Sequence, residues 1–261
     1  MIKLVFTDMD GTLLHEDKTM PKESEDMFIK LYQKGVACGV ASGRPLLSLQ
    51  TLFPNFQQYA TFIADNGAVI YHQGEILYKS ILPLDWVREA VRATMDDTSN
   101  HPLLCTVKNA YALNRSRHHD RTLRNYYPEI IYVDDLLSVD EEIIKVTIYD
   151  DIDAKENTYP KLEHMLDRAK VTISAVEWTD ITMPGIHKGF AVKKIQERLQ
   201  ITKDESMAFG DYYNDLELLE NVKYSYAMEN AVSQVKQVSN FMCPSNEEDG
   251  VLQVLKKVFQ L

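Results

Sequence analysis

Ile2-Lys3-Leu4-Val5-Phe6-Thr7-Asp8-Met9-Asp10-Gly11-Thr12-Leu13-Leu14 opens the chain and sets its organisation. Leu4-Val5-Phe6 is a short apolar run with β-branched and aromatic residues, the pattern of a buried strand. It stops abruptly at two carboxylates, a glycine and a threonine. Like charges so close at a strand mouth repel, and such a pair is tolerated where a cation is shared or one member keeps a proton. The stretch therefore predicts a cation or a proton at Asp8 and Asp10. The alternative at this point is a polar strand exit with Asp10-Gly11 as an ordinary turn.

The following residues repeat the rhythm. Met27, Phe28, Leu31 and Tyr32 recur at helical spacing within residues 23–34, and Gly35 supplies a left-handed stop. Residues 36–41 form a second buried run that ends in Ser42-Gly43-Arg44-Pro45. Pro45 suits the first turn of a helix over 46–52, which leaves Ser42 and Gly43 at its N-terminal side, where free amides attract anions. A third strand over 61–64 leads through Asp65-Asn66-Gly67-Ala68 into a hairpin partner at 69–71, with a further strand at 76–78. From Pro184 onward, Lys188-Gly189 opens a helix to residue 200. Met207-Ala208-Phe209-Gly210 is a buried strand that ends in Asp211-Tyr212-Tyr213-Asn214-Asp215. Strands at 224–228 and 241–243 and a helix over 250–259 complete the pattern. Strands alternating with helices, with polar residues at strand ends, predict an α/β fold. Its core is a doubly wound, Rossmann-like parallel sheet whose ligands gather at the carboxyl edge.

Between these halves the order changes. Residues 84–183 read as helix 84–95, strands 103–107 and 111–113, helix 118–126 and strands 130–133 and 143–149, then helix 156–169 and strands 171–175 and 178–183. This is an α+β unit of about 100 residues, enough for its own core. The expected division is thus a core of residues 1–83 and 184–261 with an inserted domain over 84–183. His101, His118, His119 and His164 inside the insertion show no metal-binding spacing and read as surface or capping residues. Arg115, Arg117, Arg121 and Arg124 read as a solvated helical face, or as a basic patch that screens an anion.

Composition narrows the classes of function. The chain has 261 residues, 45% of them apolar, and a net charge of −11. The acidic balance argues against nucleic acid or an anionic membrane as a partner. No apolar run approaches the ~20 residues that span a bilayer, and the opening passes directly into a strand, which points to a cytoplasmic protein. Cys38, Cys105 and Cys243 lie far apart in apolar runs and fit neither a disulfide framework nor a zinc site. An anionic substrate requires local positive charge from lysine, arginine or a metal.

Four polar clusters fall at predicted strand ends or a helix start: Asp8/Asp10, Ser42, Lys188 and Asp211/Asn214/Asp215. In a doubly wound sheet such ends converge on one crevice. Singly, Ser42 and Asp211 also suit helix caps, Lys188 a surface position and Asn214-Asp215 a turn. Carboxylates without a paired histidine or cysteine select a hard cation, and Mg²⁺ takes one or two carboxylates together with water and substrate phosphate. Asp8, the Asp10 carbonyl and Asp211 suffice for that. With a metal and a phosphate in place, an aspartate can attack phosphorus and form an acyl phosphate; Asp8 is the candidate. Lys188, the Ser42 hydroxyl and amides near Gly43 would hold the phosphoryl oxygens. Asp10, two residues on, would protonate the leaving alkoxide and then accept a proton from water, a role that needs its pKa raised.

Asp8-Met9-Asp10-Gly11-Thr12-Leu13-Leu14, Ser42-Gly43-Arg44-Pro45, Lys188-Gly189 and Gly210-Asp211-x-x-Asn214-Asp215 resemble the ordered motifs of the haloacid dehalogenase-like phosphatases. The insertion resembles the large cap of the Cof-type sugar-phosphatase branch in position and rhythm. Asp65-Asn66-Gly67-Ala68, Met228-x-Asn230-Ala231 and Ser245-Asn246-Glu247-Glu248-Asp249-Gly250-Val251 are further matches. The resemblance implies Asp8 as nucleophile, Asp10 as acid and base, Ser42, Gly43 and Lys188 as phosphate binders, and Asp8, Asp10 and Asp211 as Mg²⁺ ligands. It places Asn214 and Asp215 in or beside the metal shell and Arg44 at the substrate. Tyr212-Tyr213 departs from the small or polar residues frequent there. Aspartate two residues after the nucleophile suits a phosphatase or phosphomutase and disfavours a dehalogenase.

The expected activity is Mg²⁺-dependent hydrolysis of small phosphorylated metabolites, sugar phosphates or similar, through an aspartyl phosphate. A phosphomutase of the same fold is the alternative, and a phosphoacceptor signalling domain, which uses the same residue types, is a second. The expected assembly is a monomer or weak homodimer.

Overall fold

The computed structural model describes residues 1–261. Two compact units emerge, one of Met1–Arg44, Leu49–Tyr78 and His187–Leu261, the other of Pro45–Ser48 and Lys79–Ile186. In chain order the first elements are β1 (Leu4–Thr7), α1 (Ser24–Gln33), β2 (Ala37–Ala41), α2 (Leu46–Leu52), β3 (Thr61–Ala64), β4 (Val69–His72) and β5 (Glu75–Lys79). Then come α3 (Leu84–Thr94), β6 (Asn100–Cys105), β7 (Ala110–Leu113), α4 (Asp120–Arg124), β8 (Ile130–Val133), β9 (Lys145–Asp150), α5 (Tyr159–Leu162), β10 (Lys170–Ala175) and β11 (Trp178–Thr182). The chain ends with α6 (Lys188–Leu199), β12 (Ser206–Gly210), α7 (Leu216–Glu220), β13 (Tyr224–Met228), α8 (Ser233–Val238), β14 (Phe241–Cys243) and α9 (Gly250–Phe259).

The first unit is built on an eight-stranded sheet of order β14-β13-β12-β1-β2-β3-β4-β5. Strands β14 to β3 run parallel, and β4 turns back antiparallel on β3. All four residues of β1 are buried, as a central parallel strand covered on both faces requires. Its register sets Thr7 opposite both Val40 of β2 and Phe209 of β12. The chain therefore leaves all three strands at one edge, which delivers Asp8, Ser42 and Asp211 there together. Phe28, Phe53, Phe56 and Phe62 are fully buried in one aromatic group, with the Phe28 and Phe56 rings stacked at 5.6 Å.

The second unit carries a six-stranded sheet of order β10-β11-β9-β6-β7-β8 and its own core, in which Val87 and Val91 of α3 join Leu104, Val146, Ile148, Leu162 and Ile181. Two segments predicted as regular helices are broken. Residues 156–169 resolve into a wide turn over Ala154–Thr158, the single turn α5 and a 3₁₀ turn at Glu163–Met165. Pro160 has no amide to donate, and the Asp153 side chain takes the amides of Lys155 and Glu156 instead. Residues 118–126 split likewise into a 3₁₀ segment, Asn114–His119, and α4. Three of the four arginines there serve the unit itself: Arg115 Nη2 donates to the carbonyls of Met95, Asp97 and Asn100, Arg117 lies 4.3 Å over the Tyr132 ring, and Arg124 pairs with Asp120. The three cysteines are buried free thiols. No helix is long and apolar enough to cross a membrane.

Candidate active site

Asp8 is the first residue past β1, its amide donating to the Phe209 carbonyl at 3.0 Å, and it is buried. Lys188 begins α6, whose first turn is capped by His187 Nδ1 accepting from the Phe190 amide. The lysine side chain is fully buried and its ammonium lies 2.5 Å from Asp8 Oδ1 and 2.7 Å from Asp215 Oδ1. Asp215, also fully buried, turns its other oxygen back to accept from the amides of Asp211 and Tyr212 at 3.0 and 3.2 Å. Thr12 Oγ1 donates to Asp211 Oδ1 at 2.7 Å. One carboxylate oxygen each from Asp8, Asp211 and Asp215 lies within 4.8 Å of the others.

The charges do not balance. Three carboxylates face one ammonium, a surplus of two negative charges in a site where Asp8 and Asp215 are buried and Asp211 is half-buried. Burial pushes the Asp8 pKa well above the usual carboxylate range; Lys188 opposes this, and Asp215 and Asp211 add to it. Asp211 is raised to about 6, mainly by burial, against the pull of Thr12. Lys188 is held charged because its two carboxylate partners outweigh the cost of its own burial. An all-oxygen donor set with a deficit of two positive charges fits a hard divalent cation such as Mg²⁺.

Asp10 stands outside that cluster. Its carboxylate forms a two-pronged pair with Arg44, Nε to Oδ2 and Nη2 to Oδ1, both at 2.7 Å, and Lys18 adds a contact at 3.1 Å. Burial raises the Asp10 pKa, but Arg44 and Lys18 outweigh it and the net effect is a lowering, the opposite of the elevation expected from sequence. The reason is this pairing, which joins residues 34 positions apart. Ser42, buried, receives the Arg44 amide on its Oγ at 3.2 Å, and its carbonyl accepts from the Asn66 amide. A side chain at Gly43 would press on Asn66, and Asn214 Nδ2 donates to Asn66 Oδ1 at 3.1 Å. Asn66 holds a positive φ of 54°, a conformation that asparagine tolerates.

Several residues of this site carry no distinct role in the sequence reading. Thr12 sits in the opening motif but only the fold shows that it grips Asp211. Asn230 Nδ2 donates to the Gly11 carbonyl at 2.7 Å, and Asn246 Nδ2 to that of Leu14 at 2.9 Å, so the two C-terminal motifs hold the loop after β1. Asn246 also passes its amide to Asn230 Oδ1. Lys18 gives no signal in sequence. Tyr212 and Tyr213, next to Asp211, are about half exposed, with rings 4.9 Å apart edge to face.

Residues 5–255 match the sequence profile of the haloacid dehalogenase-like hydrolases. The chain is 29% identical to the 5-amino-6-(5-phospho-D-ribitylamino)uracil phosphatase YbjI of Escherichia coli, over 99% of this chain and 97% of that protein. It is 29% identical to the HMP-PP phosphatase of Cronobacter sakazakii, over 90% of this chain and 87% of the relative. A crystal structure from Eubacterium rectale shares 30% identity and superposes with a TM-score of 0.90, over 98% of this chain and 99% of the other.

Proposed function

This chain belongs to the haloacid dehalogenase-like hydrolases and is a phosphatase, and from its geometry we propose that it hydrolyses phosphomonoesters of small metabolites with Asp8 as the attacking group. The observation that carries this reading is the set of Asp8, Lys188 and Asp215, all buried, with the half-buried Asp211, in which a carboxylate is held beside an ammonium amid a surplus of negative charge. Asp8, Asp211 and Asp215, with the Asp10 main-chain carbonyl, would hold Mg²⁺. When bound, the ion supplies positive charge that keeps these carboxylates ionised and screens the nucleophile from the phosphate.

The chain's own groups then divide the work. Lys188, the Ser42 hydroxyl and the Gly43 amide orient and neutralise the phosphoryl oxygens, with Asn214 beside them. An Asp8 oxygen attacks phosphorus as the bond to the leaving oxygen breaks, and Asp10 delivers the proton that oxygen needs. Water then attacks the acyl phosphate, Asp10 takes its proton, and inorganic phosphate and free Asp8 result. For the first step Asp10 must shed Arg44, whose guanidinium would turn to an anionic or polar group of the substrate. The ionised Asp10 that Arg44 favours is the form required in the second step.

The second unit is proposed as the substrate-selecting cap. The named activity of the Escherichia coli relative points to a phosphate ester carrying a uracil ring, and the exposed Tyr212-Tyr213 pair offers rings on which such a heterocycle can stack. The test is phosphate release from a panel of esters with and without Mg²⁺, including 5-amino-6-(5-phospho-D-ribitylamino)uracil and simple sugar phosphates. Activity is expected only with the metal, and Asp8→Asn should lower kcat by at least ~10³-fold. Full turnover without a divalent cation, or by Asp8→Asn, would overturn the mechanism. A requirement for a bisphosphate activator would instead identify a mutase.

A further inference from the structure

The α+β unit gathers a second set of ligand-type side chains from three separate segments of the chain. His101 lies on β6, His118 and His119 close the 3₁₀ segment Asn114–His119, and Asp151 follows β9 directly. Antiparallel pairing of β6 with β9 sets His101 opposite Tyr149, two residues before Asp151. One donor atom from each of the four residues lies within 4.8 Å of the other three. A tetrahedron with metal–nitrogen bonds of ~2.0 Å has edges of about 3.3 Å, so closing the set around an ion needs only small movements. His118 and Asp151 lie exposed at the rim of the set, while His101 is buried and anchored.

The remaining ring atoms are held as ligand histidines usually are. His118 Nδ1 lies 2.5 Å from the Arg115 carbonyl and therefore carries the proton, which leaves Nε2 as the lone pair. His101 Nδ1 meets the buried Ser116 hydroxyl at 3.0 Å, and its Nε2 is 3.2 Å from Asp151 Oδ2. His119 Nε2 is buried and 2.9 Å from Asp151 Oδ1, yet it has no partner in hydrogen-bond alignment. A nitrogen so placed beside a carboxylate oxygen is satisfied when both point at a shared cation. The rings are also crowded, with His118 and His119 centroids 4.0 Å apart and those of His101 and His119 4.4 Å. Three imidazolium ions at this spacing would repel, whereas neutral imidazoles around one cation would not.

We infer that His101, His118, His119 and Asp151 form a binding site for a zinc-class divalent cation. Three imidazoles and one carboxylate make a nitrogen-rich set that suits Zn²⁺, Co²⁺ or Ni²⁺ and is foreign to Mg²⁺, in contrast to the all-carboxylate set of the other unit. The ion would tie β6, the segment before α4 and the end of β9 together, a structural role. The sequence reading of these histidines as surface or capping residues fails for His101, which is buried, and the fold brings three of the four together; only His164, paired with Glu89 at 2.9 Å, stands apart.

The full-length protein, stripped of metal and placed in excess Mg²⁺ to occupy the carboxylate cluster, is titrated with Co²⁺ and then Zn²⁺. One equivalent of Co²⁺ is expected to produce visible ligand-field bands of a four-coordinate nitrogen site, Zn²⁺ to displace it, and Zn²⁺ to raise Tm. His118→Gln should weaken binding ~10–100-fold, and His118→Gln with His119→Gln should abolish the bands, with Mg²⁺-dependent phosphatase activity retained. The single exposed substitution decides the matter if the double variant does not fold. Absence of the bands in the wild type, titrations unchanged in the variants, or bands lost in Asp211→Asn but kept in the histidine variants would overturn the site.

Discussion

Thr12 shows how much a single hydroxyl governs. Its Oγ1, itself buried, fixes the half-buried Asp211 carboxylate at 2.7 Å, and hydrogen bonds from such outer groups are worth ~10–100-fold in metal affinity. Thr12→Val keeps the shape and removes the donor. Half-saturating Mg²⁺ in the phosphatase assay should rise by that factor while kcat at saturating Mg²⁺ changes far less; an unchanged Mg²⁺ requirement would mean that Thr12 only packs. Gly11 is the neighbouring case. Its φ of 82° strains any other residue, and a Cβ there would collide with the Asp211 carboxylate. Gly11→Ala should therefore cost ~1–3 kcal/mol in a urea titration and displace Asp211, with activity falling together with stability.

Among elements, the broken helix of the second unit was the least legible. Ala154, Thr158, Leu162 and Met165 are buried and recur at near-helical spacing, so periodicity alone reads a helix. What decides otherwise is a polar network from distant elements. Asp150, at the end of β9, accepts from Thr158 Oγ1 at 2.5 Å and from Asn157 Nδ2 at 3.2 Å, and Asn100 of β6 donates to Thr158 at 3.0 Å. Lys161 Nζ bonds Asp97, Asn100 and Asn157. By contrast, β1 and β12 were plain in sequence because both faces are buried and every residue is apolar or small. The strand-end residues followed from topology. The Asp10–Arg44 pair and the histidine set did not, since both depend on which loops a register brings together. The network also makes a pH prediction. Hydrogen bonds from Lys161 and Ser99 hold the Asp97 carboxyl well below the usual range. A depressed carboxylate contributes stability above its unfolded pKa of about 4 and loses it as pH falls toward the folded value. Asp97→Asn should melt lower than the wild type at pH 7, and the gap in Tm should close as pH drops below ~4. A gap that stays constant with pH would assign the effect to packing.

At the scale of the whole molecule, the chain concentrates opposite demands in one place. Unit by unit it is stabilised by ordinary apolar cores, yet the first unit keeps three carboxylates against one lysine at the edge of its sheet. In a net-acidic chain of −11 this surplus is relieved by a retained proton, toward which burial pushes Asp8 and Asp211, or by a bound cation. Two consequences follow for stability. Mg²⁺ should raise Tm of the wild type, because it binds the folded state alone, with an increment that grows with its concentration. Asp8→Asn removes one charge of the surplus while leaving Lys188 its 2.7 Å partner Asp215. Without divalent cation this inactive variant should therefore be at least as stable as the wild type, and its Mg²⁺ increment should be smaller. Parallel thermal melts of both proteins, in chelator and in Mg²⁺, give all four values. A variant clearly less stable than the wild type in chelator would mean that Asp8 serves the fold as a partner of Lys188 more than it burdens it, and the cost of the charge surplus would then lie with Asp211.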